Sequence, residues 1–122
     1  MLIAGVHTII YAEDPEEARA FFRDVLGFAS VDAGGGWLIF ALPPGELAFH
    51  PTDDPGHHEL FLMCHDIERT VQELEAKSVE FVAPISDARF GRMTRLKIPG
   101  GGEISLYEPK HPSPLTEFSS GG

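Results

Sequence analysis

The chain has 122 residues and a mass of 13.3 kDa, 43% apolar and 23% charged, the size and balance of one globular domain with its own core. Nine basic against 19 acidic residues leave a formal net charge of −10, which excludes nucleic acid and anionic membrane surfaces as partners, because both are bound through an excess of positive charge. A single cysteine excludes an intrachain disulfide.

Met1 to Tyr11 is mostly apolar, but no basic residues precede it, and Glu13 and Asp14 follow at once. It lacks the charge pattern of a signal peptide and the length of a membrane span, so a cytoplasmic protein is expected. Val6 to Tyr11 is β-branched and aromatic and predicts a first strand. Asp14-Pro15-Glu16-Glu17 predicts a helix start, with a capping aspartate, a proline at the first position and acids at the positive end of the dipole. Ala18, Phe21, Phe22, Val25 and Leu26 follow at helical spacing, and Gly27 is placed to end that helix. Strands are predicted over Trp37–Leu42 and Glu46–His50, separated by the turn Pro43-Pro44-Gly45.

After the polar linker Pro51–Gly56 the pattern repeats. His58–Cys64 reads as a strand, and Asp66 as the cap of a second helix carrying Val71, Leu74 and Val79. Glu80–Pro84 is extended, and strands follow over Arg92–Ile98 and Ile104–Tyr107. His7 opens the first strand and His58 the fifth. The stretch Leu42–Pro51 answers Ile98–Pro109, with a glycine inserted. A unit of about fifty residues is thus used twice, over modules of about 1–52 and 57–109, each a strand, a helix and three strands. Residues 110–122, with two prolines and a Ser-Ser-Gly-Gly end, read as a tail.

His7-Thr8-Ile9-Ile10-Tyr11, Phe21-Phe22-Arg23-Asp24-Val25-Leu26-Gly27-Phe28, His58-Glu59-Leu60-Phe61-Leu62 with Asp66-Ile67, and Ile104-Ser105-Leu106-Tyr107-Glu108-Pro109 together resemble the vicinal oxygen chelate superfamily, the glyoxalase, bleomycin resistance and dioxygenase fold. The resemblance spans about residues 3–109 as a single domain. It implies an α+β fold in which two βαβββ modules form curled antiparallel sheets around a central cavity, with eight strands and with helices on the outer faces. It also implies a homodimer, for which Leu115 and Phe118 of the tail are placed to clasp the body or a neighbour.

In active members of that superfamily a divalent metal is held by residues starting the first and fifth strands and by carboxylates on the fourth and eighth. His7 and His58 match the first two positions and suit zinc, iron, nickel or manganese. The carboxylate positions fall on Ala48 and Ser105, and neither residue supplies an anionic ligand. A two-residue shift of register would instead bring Glu46 and Glu103 to the histidines, and His50 could reach inward as a third imidazole.

The leading expectation is therefore a small-molecule binding protein of the bleomycin-resistance type that requires no cofactor. A metal-dependent lyase, isomerase or dioxygenase is the alternative. The expected pocket has an apolar wall of Trp37, Leu60 and Leu62, since both leucines share strand parity with His58. Its polar points are His7, His58, Ser105 and Tyr107, with Ala48 and His50 beside them. Cys64 has the same parity but no base partner. Arg92 and Arg95 are the cations that could hold an anionic ligand. No phosphate loop, dinucleotide fingerprint or Ser/His/Asp order is present.

Overall fold

A computed structural model describes residues 7–54, 57–115 and 118; Met1–Val6, and with them the expected start of the first strand, lie outside the described residues. Asp14 caps helix α1 (Pro15–Ala20), its Oδ1 accepting the Glu17 backbone N–H at 3.1 Å. The helix then widens into a π-helical turn, Phe21–Val25, in which the Leu26 N–H donates to the Phe21 carbonyl at 3.1 Å. Phe21 and Phe22 are both buried there. Gly27 at φ +76° closes the helix, and the Phe28 N–H returns to the Phe22 carbonyl at 3.0 Å, the left-handed ending for which glycine carries no steric penalty. Strands β1 (Ser30–Asp32) and β2 (Leu38–Phe40) then pair antiparallel as a small sheet.

The second half is built around a four-stranded sheet of β3 (Phe61–Met63), β4 (Ser86–Ala88), β5 (Gly91–Lys97) and β6 (Glu103–Pro109), in the spatial order β3-β6-β5-β4. Helix α2 (Ile67–Glu75) follows β3 and is capped twice. Asp66 Oδ1 accepts the Arg69 N–H at 3.1 Å, and Glu108 Oε1 reaches from β6 to accept the Ile67 N–H at 2.9 Å. The expected wholly antiparallel arrangement is corrected here: β3 and β6 run parallel, so the sheet is mixed. The long connection through α2, β4 and β5 makes that parallel return possible. Pairing of β4 with β5 begins at Ser86, beyond the 80–84 segment, of which Phe81 makes a single bridge to Leu96.

One core joins the halves. Phe21 and Phe22 pack with Ile67, Val79, Leu96, Ile98, Ile104 and Leu106. The turn after β5 abuts the start of α1, with the Asp14 N–H donating to the Gly100 carbonyl at 2.8 Å. Gly100 has φ +75°, and a Cβ there would lie 2.7 Å from the Asp14 carbonyl oxygen, so only glycine fits.

The strands expected at both ends of the first half differ from what is found. Residues 7–11 and 46–50 are extended but pair with no strand among the described residues. Tyr11 is 88% exposed, Leu47 80% and Phe49 88%. Apolar composition favours a strand only when an edge and a covering layer are available, and here these side chains face solvent. Six strands, two sheets and two helices thus form the described α+β structure. No helix among the described residues is long and apolar enough to cross a membrane.

Candidate functional site

The orientation of β6 decides what the four-stranded sheet presents. Ile104 and Leu106 are buried in the core, so Glu103, Ser105 and Tyr107 turn to the opposite face. Residues opposite one another in a ladder share a face. Phe61 lies opposite Ser105 and Met63 opposite Tyr107; on the other flank Arg95 lies opposite Ser105 and Met93 opposite Tyr107. The face away from the core therefore carries two methionines, two aromatic rings, a hydroxyl and a guanidinium.

One end of this face opens into a cavity of about 260 Å³, lined by Ile10, His58, Glu59, Leu60, Glu103, Ile104 and Ser105. It lies just under the size of a drug-sized site. Arg95 Nε stands 3.9 Å from Glu103 Oε1 at its rim. At the other end Tyr107 is 8% exposed. The Phe61 ring meets it edge-on at 5.7 Å, and Phe90 lies at 6.2 Å. Burial pushes the Tyr107 phenol above its usual range, and the Glu46 carboxylate pushes it further.

The C-terminal segment closes that end. The Tyr107 hydroxyl hydrogen-bonds His111 Nε2, and the two rings stack with centroids 5.7 Å apart and planes inclined by 29°. His111 Nε2 lies 3.4 Å from Glu46 Oε1, whose side chain is 18% exposed. Ser113 Oγ donates to the other oxygen of Glu46 at 2.6 Å. Phe118 stacks on His65 at 4.6 Å. The tail is thus tied to its own body.

The expected site residues are only partly gathered. His58, Leu60 and Ser105 line one cavity, and Glu103 joins them. Leu62 lies opposite Leu106 and packs against the core; its neighbour Phe61 takes the other side, opposite Ser105. Trp37 is exposed, with the Arg19 guanidinium 4.5 Å above its ring, and so belongs to the α1 side. His7, Ala48 and His50 lie exposed on the unpaired segments 7–11 and 46–50 and do not line the cavity. Glu46 is engaged by His111 and Ser113, while Glu103 lines the cavity, so the two glutamates do not converge on the histidines. Arg92 turns toward α2, paired with Glu68 at 3.0 Å and Asp87 at 3.1 Å. Cys64 is half-buried, and burial above all pushes its thiol up, the opposite of an activated nucleophile.

The donor set does not fit the superfamily's chelated metal. Ala48 has no donor atom, Ser105 offers a neutral hydroxyl, and among the described residues no three His, Cys, Asp or Glu side chains are grouped so as to hold a metal ion. Structural and catalytic centres usually take three or four such ligands.

Phe61, Met63, Met93 and the Glu46–His111 pair escape a reading of the sequence. Leu60-Phe61-Leu62-Met63 is apolar throughout and gives no alternation to orient it. The alternation of Ile104 and Leu106 with Glu103 and Ser105 was the available signal for β6, and it would have carried Phe61 with it had the pairing been known.

This arrangement is a helix-backed mixed sheet whose opposite face carries Phe61, Met63, Met93 and Tyr107. Residues 5–110 match the model of the Glyoxalase/Bleomycin resistance protein/Dioxygenase superfamily, and the chain belongs to that superfamily. No curated protein sequence matches the chain closely enough to add a relative. Among solved structures it is similar to TnmS3, an antibiotic binding protein from Streptomyces sp. CB03234, with 25% identity over 90% of this chain and 99% of that one and a TM-score of 0.64. A superfamily member from Sphaerobacter thermophilus DSM 20745 shares 26% identity over 88% of this chain and 99% of that one, with a TM-score of 0.62. A lactoylglutathione lyase from Agrobacterium tumefaciens has the same fold, with 19% identity over 88% of this chain and 96% of that one and a TM-score of 0.63.

Proposed function

We propose that the protein binds a small, largely apolar aromatic molecule along the sheet face of Phe61, Met63, Met93 and Tyr107, without a metal. Its polar end is oriented in the cavity by His58, Ser105 and the Arg95–Glu103 pair. The observation that carries this reading is the register that sets Phe61 against Ser105 and Met93 against Tyr107. Polarizable methionines and aromatic rings suit a planar organic partner, and a few convergent polar groups suit its orientation. The likeness to an antibiotic binding protein supports a small organic molecule as the ligand.

The binding unit is a single domain of two curled βαβββ modules around a cavity, acting in the cytoplasm as a homodimer. Support for the dimer comes from Tyr11, Leu47 and Phe49, which are large, apolar and exposed on the unpaired segments. Completing the first module's sheet against a second copy would cover them.

The test is fluorescence of anilinonaphthalene sulfonate added to metal-free protein, with melting shifts as a second readout. Saturable enhancement that falls at least about tenfold in affinity in Phe61→Ala supports the binder, since a buried aromatic contact contributes on that scale. Stoichiometric metal in protein purified without chelator, lost in the His7→Ala, His58→Ala double variant, overturns it in favour of a metal-dependent lyase, isomerase or dioxygenase. Light scattering that returns the mass of one chain removes the dimer and leaves the ligand face standing.

A further inference from the structure

The Tyr107 end of the sheet holds a side chain that behaves as a bound ligand. His111 lays a planar heteroaromatic ring against Tyr107, and its Nε2 faces both the Tyr107 hydroxyl and Glu46 Oε1. Its other nitrogen lies 2.7 Å from the Pro112 carbonyl, within its own segment. Glu46, the carboxylate facing this ring, comes from the 42–50 segment, and Tyr107 comes from β6. Lys110 is turned away onto Asp87 at 3.7 Å. Among the described residues, Lys110 also makes the last backbone hydrogen bond from the tail to the body, to the Phe90 carbonyl at 2.8 Å. Among the described residues from His111 onward, the contacts of the strap with the body are made by side chains, so this part can leave without breaking a strand ladder.

We propose that Tyr107 and Glu46 form a subsite for a planar heteroaromatic base, and that His111 occupies it as an internal stand-in. The ligand class follows from what His111 presents. A flat ring matches the Tyr107 face. A ring nitrogen matches the hydroxyl when neutral and the carboxylate when protonated. Azoles, benzimidazoles and aminopyridines have this shape and this nitrogen; plain hydrocarbons lack the second property. Glu46 and Tyr107 are shielded from water, and shielded polar groups need partners, so an entering base must replace both contacts that His111 gives up. Ser113 can stay on the second oxygen of Glu46. The inference rests on the small-molecule reading of the sheet face and adds to it the chemistry of one end.

The probe is benzimidazole, titrated into full-length wild type and His111→Ala by calorimetry, with naphthalene as the control of equal shape and no nitrogen. Removing the internal competitor tightens benzimidazole binding by about tenfold or more, because the free subsite no longer has to be vacated. Glu46→Gln added to His111→Ala cancels the gain, and naphthalene shows none. In wild type, saturating benzimidazole speeds tryptic cleavage after Lys110 and shifts the His111 ring resonances. Equal benzimidazole affinity in wild type and His111→Ala overturns the proposal, as does an equal gain for naphthalene, which would mark an apolar hole only. Should His111→Ala not fold, the wild-type cleavage rate and His111 resonances decide alone, and no change in either overturns it. Anilinonaphthalene sulfonate binding without benzimidazole binding removes this subsite and leaves the general ligand face intact; failure of both probes removes the ligand face as well.

Discussion

Phe61 stands directly opposite Ser105 in the parallel pairing of β3 with β6, and its ring meets Tyr107 edge-on at 5.7 Å. That pairing splits a run of four apolar residues between two faces: Phe61 and Met63 lie on the side of Ser105 and Tyr107, where a ligand is proposed, while Leu62 faces the core. Phe61→Ala is expected to weaken aromatic probes with little loss of fold. Leu106→Ala, at a site 3% exposed, should cost about 2–5 kcal/mol of stability. Urea denaturation of both variants beside a probe titration checks the split; a reversed pattern would place the ligand face on the wrong side of the sheet.

Glu108 ties the last strand to the second helix. Its carboxylate accepts the Ile67 N–H while Asp66 accepts that of Arg69, so two of the free donors at the start of α2 are satisfied. Asp66→Ala should lower stability by about 1 kcal/mol. Glu108→Ala should cost at least as much, because Ile67 is fully buried and its N–H would lose its partner. Equilibrium denaturation measures both, and a neutral Glu108→Ala would show that water replaces the carboxylate.

The raised pKa of Tyr107 has a definite sign in stability. Its neutral form is favoured by burial and by the Glu46 carboxylate, so the folded value exceeds the unfolded one. The associated stability is complete below the ordinary phenol value of about 10 and is lost as pH rises through the folded value. Melting followed from pH 9 upward, to about pH 11, should fall more steeply in wild type than in Tyr107→Phe. Parallel curves would contradict this.

Ser105→Glu tests how near the cavity stands to a metal centre. It would set a third carboxylate beside Glu59, Glu103 and His58. Without metal the variant should melt lower, because crowded carboxylates resist ionisation. Zinc should bind it about a hundredfold or more tighter than wild type, since each anionic ligand contributes directly. Calorimetry with zinc gives the ratio; an unchanged affinity would show that the cavity cannot close around an ion.

How much of this was legible in the amino-acid order depends on the range of the interaction. The helix starts at Asp14 and Asp66 and the stop at Gly27 were readable because caps act over three or four residues of backbone. The superfamily was readable for the same reason, as a pattern of local spacing, and its model matches residues 5–110. The four-stranded sheet's unlike neighbours were not. Nothing local states that β3 pairs parallel with β6, and that pairing decides whether Phe61 or Leu62 shares the face of Ser105 and Tyr107, since each step along a strand reverses the face.

The same division holds for the site. His58, Leu60 and Ser105 could be singled out by position within their strands, and they do share a cavity. Glu46 and His111, far apart in the chain, meet at 3.4 Å, and no spacing rule relates them. The caps and the family could be read from residue order, because they depend on hydrogen bonds and side-chain periods within a few residues. The facing of Phe61 and the tail's hold on Tyr107 came only with the folded chain, because cross-strand register and contacts between distant segments are settled by burial of the whole core.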